Sequence, residues 1–137
     1  MTENWQDYFK PPFHNDSYVP EIVWDSMGHR VITTGMDYND VPDEVMEILA
    51  NAMNGTPIPE HPYTFGNPRY VGSPVDSYVE FTHDGQTYRL NIRGWGYLTG
   101  ELKLDYEKAG RIQDAFGAFV VECMKQEPLG GTDGSLQ

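Results

Sequence analysis

A chain of 137 residues, 39% hydrophobic and 13% aromatic, is the size of one domain and holds enough apolar material for a core, which excludes global disorder. Its 21 acidic against 9 basic side chains leave a net charge of −12, and a surface of that sign repels DNA, RNA and anionic membranes. A single cysteine, Cys123, excludes an intrachain disulfide and suits a reducing compartment.

In chain order, Met1-Thr2-Glu3-Asn4-Trp5-Gln6-Asp7 carries neither a basic n-region nor an apolar h-region, so no signal peptide is expected. No apolar run approaches the ~20 residues of a membrane span. These features predict a cytoplasmic protein. The arm through Pro11-Pro12-Phe13 and Pro20 is expected to be extended, pinned by Trp5, Tyr8 and Phe9. Beyond it, Glu21-Ile22-Val23-Trp24 and Arg30-Val31-Ile32-Thr33 are rich in β-formers. Asp25-Ser26-Met27-Gly28 between them is the chemistry of a short hairpin loop. Asp40 is expected to cap a helix, with Pro42 and Asp43 in its first turn and Val45, Ile48, Leu49 and Met53 at helical spacing up to Gly55. Thr56 to Asp76 holds prolines at 57, 59, 62, 68 and 74. It reads as a long loop, of a kind that often carries function, with room for a short strand at Arg69-Tyr70-Val71.

A second, cleaner hairpin follows. Tyr78, Glu80 and Thr82 alternate with Val79 and Phe81, His83-Asp84-Gly85-Gln86 turns the chain, and Tyr88, Leu90 and Ile92 alternate with Arg89, Asn91 and Arg93. Period-2 alternation with one polar face is what a half-buried antiparallel strand requires. A second helix should begin near Asp105, set Ala109, Ile112, Phe116, Phe119, Val120 and Cys123 on one stripe, and end before Pro128. The expected fold is α+β: two β-hairpin–helix units (ββαββα) forming a four-stranded antiparallel sheet with two helices on one face. Residues 1–127 would form a single domain with an extended N-terminal arm, and 128–137 a disordered tail. The two units are alike in architecture only.

Charge is distributed unevenly. From Val31 to Pro68 there is no lysine or arginine, and residues up to Pro68 hold 11 acids against 2 bases, those after it 10 against 7. Asp37, Asp40, Asp43, Glu44 and Glu47 surround the start of the first helix. Carboxylates in a first turn complement the helix dipole, and Asp40 has the cap to make, so a solvated acidic face is the ordinary reading. The functional reading is a carboxylate surface that imitates nucleic-acid phosphates and docks on partner Lys/Arg residues, steered by charge and weakened by salt.

Arg93-Gly94-Trp95-Gly96-Tyr97-Leu98-Thr99-Gly100 is the second candidate. Two glycines around a tryptophan after a strand suggest a bulge or a close backbone approach. Trp95 and Tyr97 are residue types enriched at binding hot spots, or Trp95 turns back to cover the end of the second helix. Gly94, Gly96 and Gly100 do not make a dinucleotide-binding pattern. His14, His29, His61 and His83 have no partner at metal-ligand spacing, so no metal and no cofactor are expected. His14 with Asp16, or His83 with Asp84, lacks a nucleophile and an oriented third group, so catalysis is not expected either. Cys123, on the apolar stripe, reads as an inert buried thiol.

The run Ile22-Val23-Trp24-Asp25-Ser26-Met27-Gly28-His29-Arg30-Val31 resembles a hairpin of small uncharacterised bacteriophage and mobile-element proteins. In these, an apolar strand, Asp-Ser/Ala-x-Gly and a second strand recur. The resemblance covers those ten residues and carries no site residues across. It implies a small phage accessory protein working in the host cytoplasm, and acidic members of that group include inhibitors of host defence.

The leading expectation is therefore a non-enzymatic acidic protein-interaction module. In its specific form it is a phage inhibitor that mimics nucleic acid to block a DNA-binding host defence protein, such as a CRISPR effector. Its partner would be the basic surface of a nucleic-acid-binding protein, with no direct contact to nucleic acid or membrane. Two alternatives stand beside it: a small-molecule-binding protein or enzyme using the Pro-rich loop and Arg93-Trp95-Tyr97, and a phage structural or assembly component.

Overall fold

The computed structural model describes residues 4–16, 18–34, 41–55, 65–72 and 77–125. After a 3-10 turn at Trp5–Asp7 come β1 (His14–Asp16), β2 (Val19–Trp24), β3 (Arg30–Thr34) and helix α1 (Asp43–Met53). Then follow β4 (Gly66–Val71), β5 (Tyr78–His83), β6 (Gln86–Ile92), a short helical turn α2 (Gly94–Gly96) and α3 (Tyr106–Met124). A π-turn, Tyr97–Glu101, continues α2 toward α3.

The strands form one antiparallel sheet in the order β1-β2-β3-β6-β5-β4. The α+β class and the antiparallel sheet agree with expectation, but the sheet has six strands, not four. β1 is three polar residues, too short to alternate, and β4 contains Pro68 and a left-handed Asn67 (φ 50°), which mask it as a loop. The repeated unit is therefore three strands and a helix. The two units meet edge to edge where β3 pairs with β6, so the strand order reads the same outward from that seam. α1 packs on β1, β2 and α3, while α3 packs on β4 and β5, which places both helices on one face.

Local chemistry explains the hairpins. Asp84 and Gly85 both adopt positive φ (53° and 80°), the geometry of a two-residue turn matched to strand twist, so this pair serves the backbone. Val79 lies opposite Leu90 and Phe81 opposite Tyr88, setting the apolar rows of β5 and β6 on one side. Ile32 lies opposite Ile92 and Val23 opposite Ile32, which carries that side across the seam. On it rest Val45, Met46 and Leu49 of α1 and Ala109, Ile112, Phe116 and Val120 of α3, all buried. The N-terminal arm is built into this core. Phe9 and Phe13 are buried, with ring centroids 5.0 and 6.1 Å from Phe116, and Trp5 lies 4.4 Å from Phe119.

The helix starts differ. Asp105 caps α3 as expected, its carboxylate accepting the Lys108 N–H at 2.8 Å. The cap expected from Asp40 is corrected: α1 begins at Asp43, with Pro42 in the capping position and no side-chain cap bond. Pro42 has extended backbone (φ −57°, ψ 142°) and no side-chain oxygen, so it bounds the helix without capping it. The bulge expected around Trp95 is a helical turn instead. Of the long loop expected from Thr56 to Asp76, residues 66–71 are strand, while 56–64 and 73–76 lie outside the described residues, as does the tail at 128–137.

Candidate functional site

Asp43 and Glu44 stand in the first turn of α1 and Glu47 one turn on; all three are exposed. A spacing of four places Asp43 and Glu47 on one helix face. The opposite wall is β1. Together they enclose a cleft of about 670 Å³ lined by Phe13, His14, Asn15, Pro20, Asp43, Glu44, Glu47, Ala50 and Asn51. No lysine or arginine is among them. Asn54, just past α1, holds the walls together: its Nδ2–H donates to the Phe13 carbonyl at 2.7 Å and its Oδ1 accepts the Phe13 N–H at 2.6 Å. Asn15 is pinned as well, its amide donating to the Pro20 and Ile22 carbonyls at 2.8 Å each.

His14 is engaged structurally. Its Nε2–H donates to the Asp25 carbonyl at 3.1 Å, and its ring stacks on Trp24 at 5.7 Å. Asp16 does not pair with it; Asp16 Oδ1 accepts the Tyr18 N–H at 2.8 Å. Among the described residues no three His, Cys, Asp or Glu side chains converge on a metal site. No described helix is long and apolar enough to cross a membrane. Asp37 and Asp40 lie outside the described residues.

Trp95 and Tyr97 belong to a different place; neither lines the acidic cleft. Gly94 passes so close to Phe9 that a Cβ there would collide with the ring Cζ, which is the close approach its glycine signals. Trp95 is half-buried, its ring 5.6 Å from that of Tyr106, so it covers the start of α3. The Tyr97 ring lies 3.7 Å from that of His29. Burial, then the nearby carboxylates of Glu101 and Asp25, push the Tyr97 hydroxyl above its usual pKa.

Behind His29 sits a group whose role is not evident from the sequence. Asp25 is fully buried. Its Oδ1 accepts the Met27 and His29 N–H groups at 3.0 and 2.9 Å, and its Oδ2 accepts the Lys10 N–H at 3.2 Å and His29 Nδ1–H at 3.1 Å. One carboxylate thus ties the N-terminal arm, the β2–β3 turn and, through His29, the Tyr97 turn. The only trace in sequence is an Asp two residues before Met27 and four before His29, which a turn alone would explain.

A second cavity, about 610 Å³, is lined by Asn4, Trp5, Gln6, Ala115, Ala118, Phe119 and Glu122, and Arg93, Trp95 and Tyr97 line neither cavity. The chain matches no known protein family, no curated protein and no solved structure.

Proposed function

We propose that the chain is a non-enzymatic interaction module whose acidic α1 cleft docks on the basic surface of a partner protein. One observation carries this: Asp43, Glu44 and Glu47, exposed on one helix, line a cleft that contains no cation to neutralise them. Such a surface attracts Lys/Arg side chains over a Debye length and loses them to salt. The specific form of the proposal is mimicry of nucleic-acid phosphates, blocking a DNA-binding protein of a host defence system in the cytoplasm.

The test compares wild type with Glu44→Lys/Glu47→Lys, each immobilised and exposed to bacterial lysate, with retained proteins identified by mass spectrometry. A nucleic-acid-binding protein held only by wild type, released by salt and displaced by DNA, is the expected result. Equal retention by both forms would sink the proposal.

A further inference from the structure

We infer that the Tyr97 end of the molecule is a docking surface for the acidic α1 cleft of a second copy of this chain. The inference rests on the reading of that cleft as a site for basic partners. Four large apolar side chains are exposed among the described residues, and three of them, Met27, Leu102 and Tyr106, belong to segments that the Tyr97 turn links. Met27 and His29 share the same Asp25 oxygen, and the His29 ring lies on Tyr97. Leu102 N–H donates to the Tyr97 carbonyl, and Tyr106 packs on Trp95. Exposed apolar groups in one cluster mark interaction surfaces.

Four cations stand in the same stretches of chain, two of them tied there through their backbones. Lys10 N–H donates to Asp25, Arg30 follows His29, Arg93 N–H donates to the Val31 carbonyl, and Lys103 follows Leu102. Among the described residues none of these four side chains makes an ion pair. Of the carboxylates here, Asp25 is buried and satisfied, while Glu101, Asp105 and Glu107 are exposed. Asp105 accepts the Lys108 N–H and Glu107 pairs with Arg111, so Glu101 is the one of these three whose side chain makes no bond among the described residues. Unpaired cations beside exposed Met27, Leu102 and Tyr106 complement the cleft of Asp43, Glu44 and Glu47, whose lining has acids and no lysine or arginine.

Two different patches on one chain make a head-to-tail contact, which closes into a ring or runs on as a filament. The net charge of −12 opposes this at low ionic strength. At about 0.15 M salt the screening length is about 8 Å, so the overall repulsion fades before the short-range pairing does. The same overall charge disfavours a polyanion at this surface, although bases could stack on its aromatics.

The test is sedimentation velocity from low to high salt on wild type, on Glu44→Lys/Glu47→Lys, on Arg93→Glu/Lys103→Glu, and on an equal mixture of the two variants. Wild type is expected above the 15.6 kDa monomer near physiological salt. Each variant should stay monomeric, and the mixture should regain assembly, because each reversed patch meets its opposite. Thermal melts confirm folding. Where a reversal does not fold, its Gln version replaces it as a single variant, expected to be monomeric and overturning the inference if it assembles like wild type. The mixture is read only with two folded reversals. A wild type monomeric at every salt and at its highest soluble concentration, or a mixture that stays monomeric, overturns the inference. So does an oligothymidine probe that binds wild type but not Arg93→Glu/Lys103→Glu. If wild type stays monomeric yet still retains a basic protein through Glu44 and Glu47, only the second-copy inference fails.

Discussion

Asp25 concentrates more polar bonding than any other described side chain that the sequence marks merely as a turn-former. Replacing it by alanine strands three backbone N–H groups and the His29 ring, and should cost about 3 kcal/mol or more, read as a lower urea midpoint with unchanged slope. Gly94 is limited by contact: Gly94→Ala sets a methyl against Phe9 and should cost roughly 1–3 kcal/mol. The glycines around Trp95 were legible as a close approach, but which ring approached was not, since Phe9 lies far away in sequence. Cys123 behaves as its place on the stripe suggests. Burial, then Glu122, pushes its thiol from 9.0 up to about 11. With the native pKa raised, the unfolded thiol ionises first, so this contribution is intact below pH 9 and is lost as pH rises through about 11. Alkylation by iodoacetamide at pH 8 should therefore be slow until denaturant is added.

At the scale of elements, strong periodicity was readable and short or interrupted strands were not. The second helix could be placed from its apolar stripe and Asp105, and Asp105→Ala should cost about 1 kcal/mol, visible as a lower melting temperature. Glu107, exposed in the same first turn, offers no capping contact of its own and serves as the control position. β1 escaped notice altogether and only the Arg69-Tyr70-Val71 part of β4 was readable, for opposite reasons. Three residues of β1 carry no pattern, whereas Asn67 and Pro68 in β4 carry the pattern of a loop. That pair also bends and breaks the outer ladder, which protects an exposed sheet edge from pairing with other chains. Just before β1, the Asn54 side chain occupies the Phe13 backbone as a neighbouring strand would.

For the molecule as a whole, the uneven charge seen in the sequence becomes a cleft at one place and unpaired cations at another. Composition could say that acids were crowded early in the chain; only the sheet order and the Asn54 clamp set them against β1. Because Glu44 and Glu47 are exposed, Glu44→Lys/Glu47→Lys should lower stability by about 1 kcal/mol at most, through the helix dipole, while abolishing capture of basic partners. Circular dichroism melts beside the binding assay check both halves of that statement.

The N-terminal arm has a consequence for synthesis. Phe9 and Phe13 leave the ribosome well before the rings that bury them, which belong to Phe116 and Phe119 in α3. At translation speeds of roughly 5–20 residues per second, the intervening stretch of about a hundred residues takes on the order of 5–20 s. Throughout that interval the arm presents bare aromatics to solvent, as a chaperone's client does. A chain halted before α3 is complete would never withdraw them. Quality control would therefore meet a truncated product at Phe9 and Phe13, well away from its broken end.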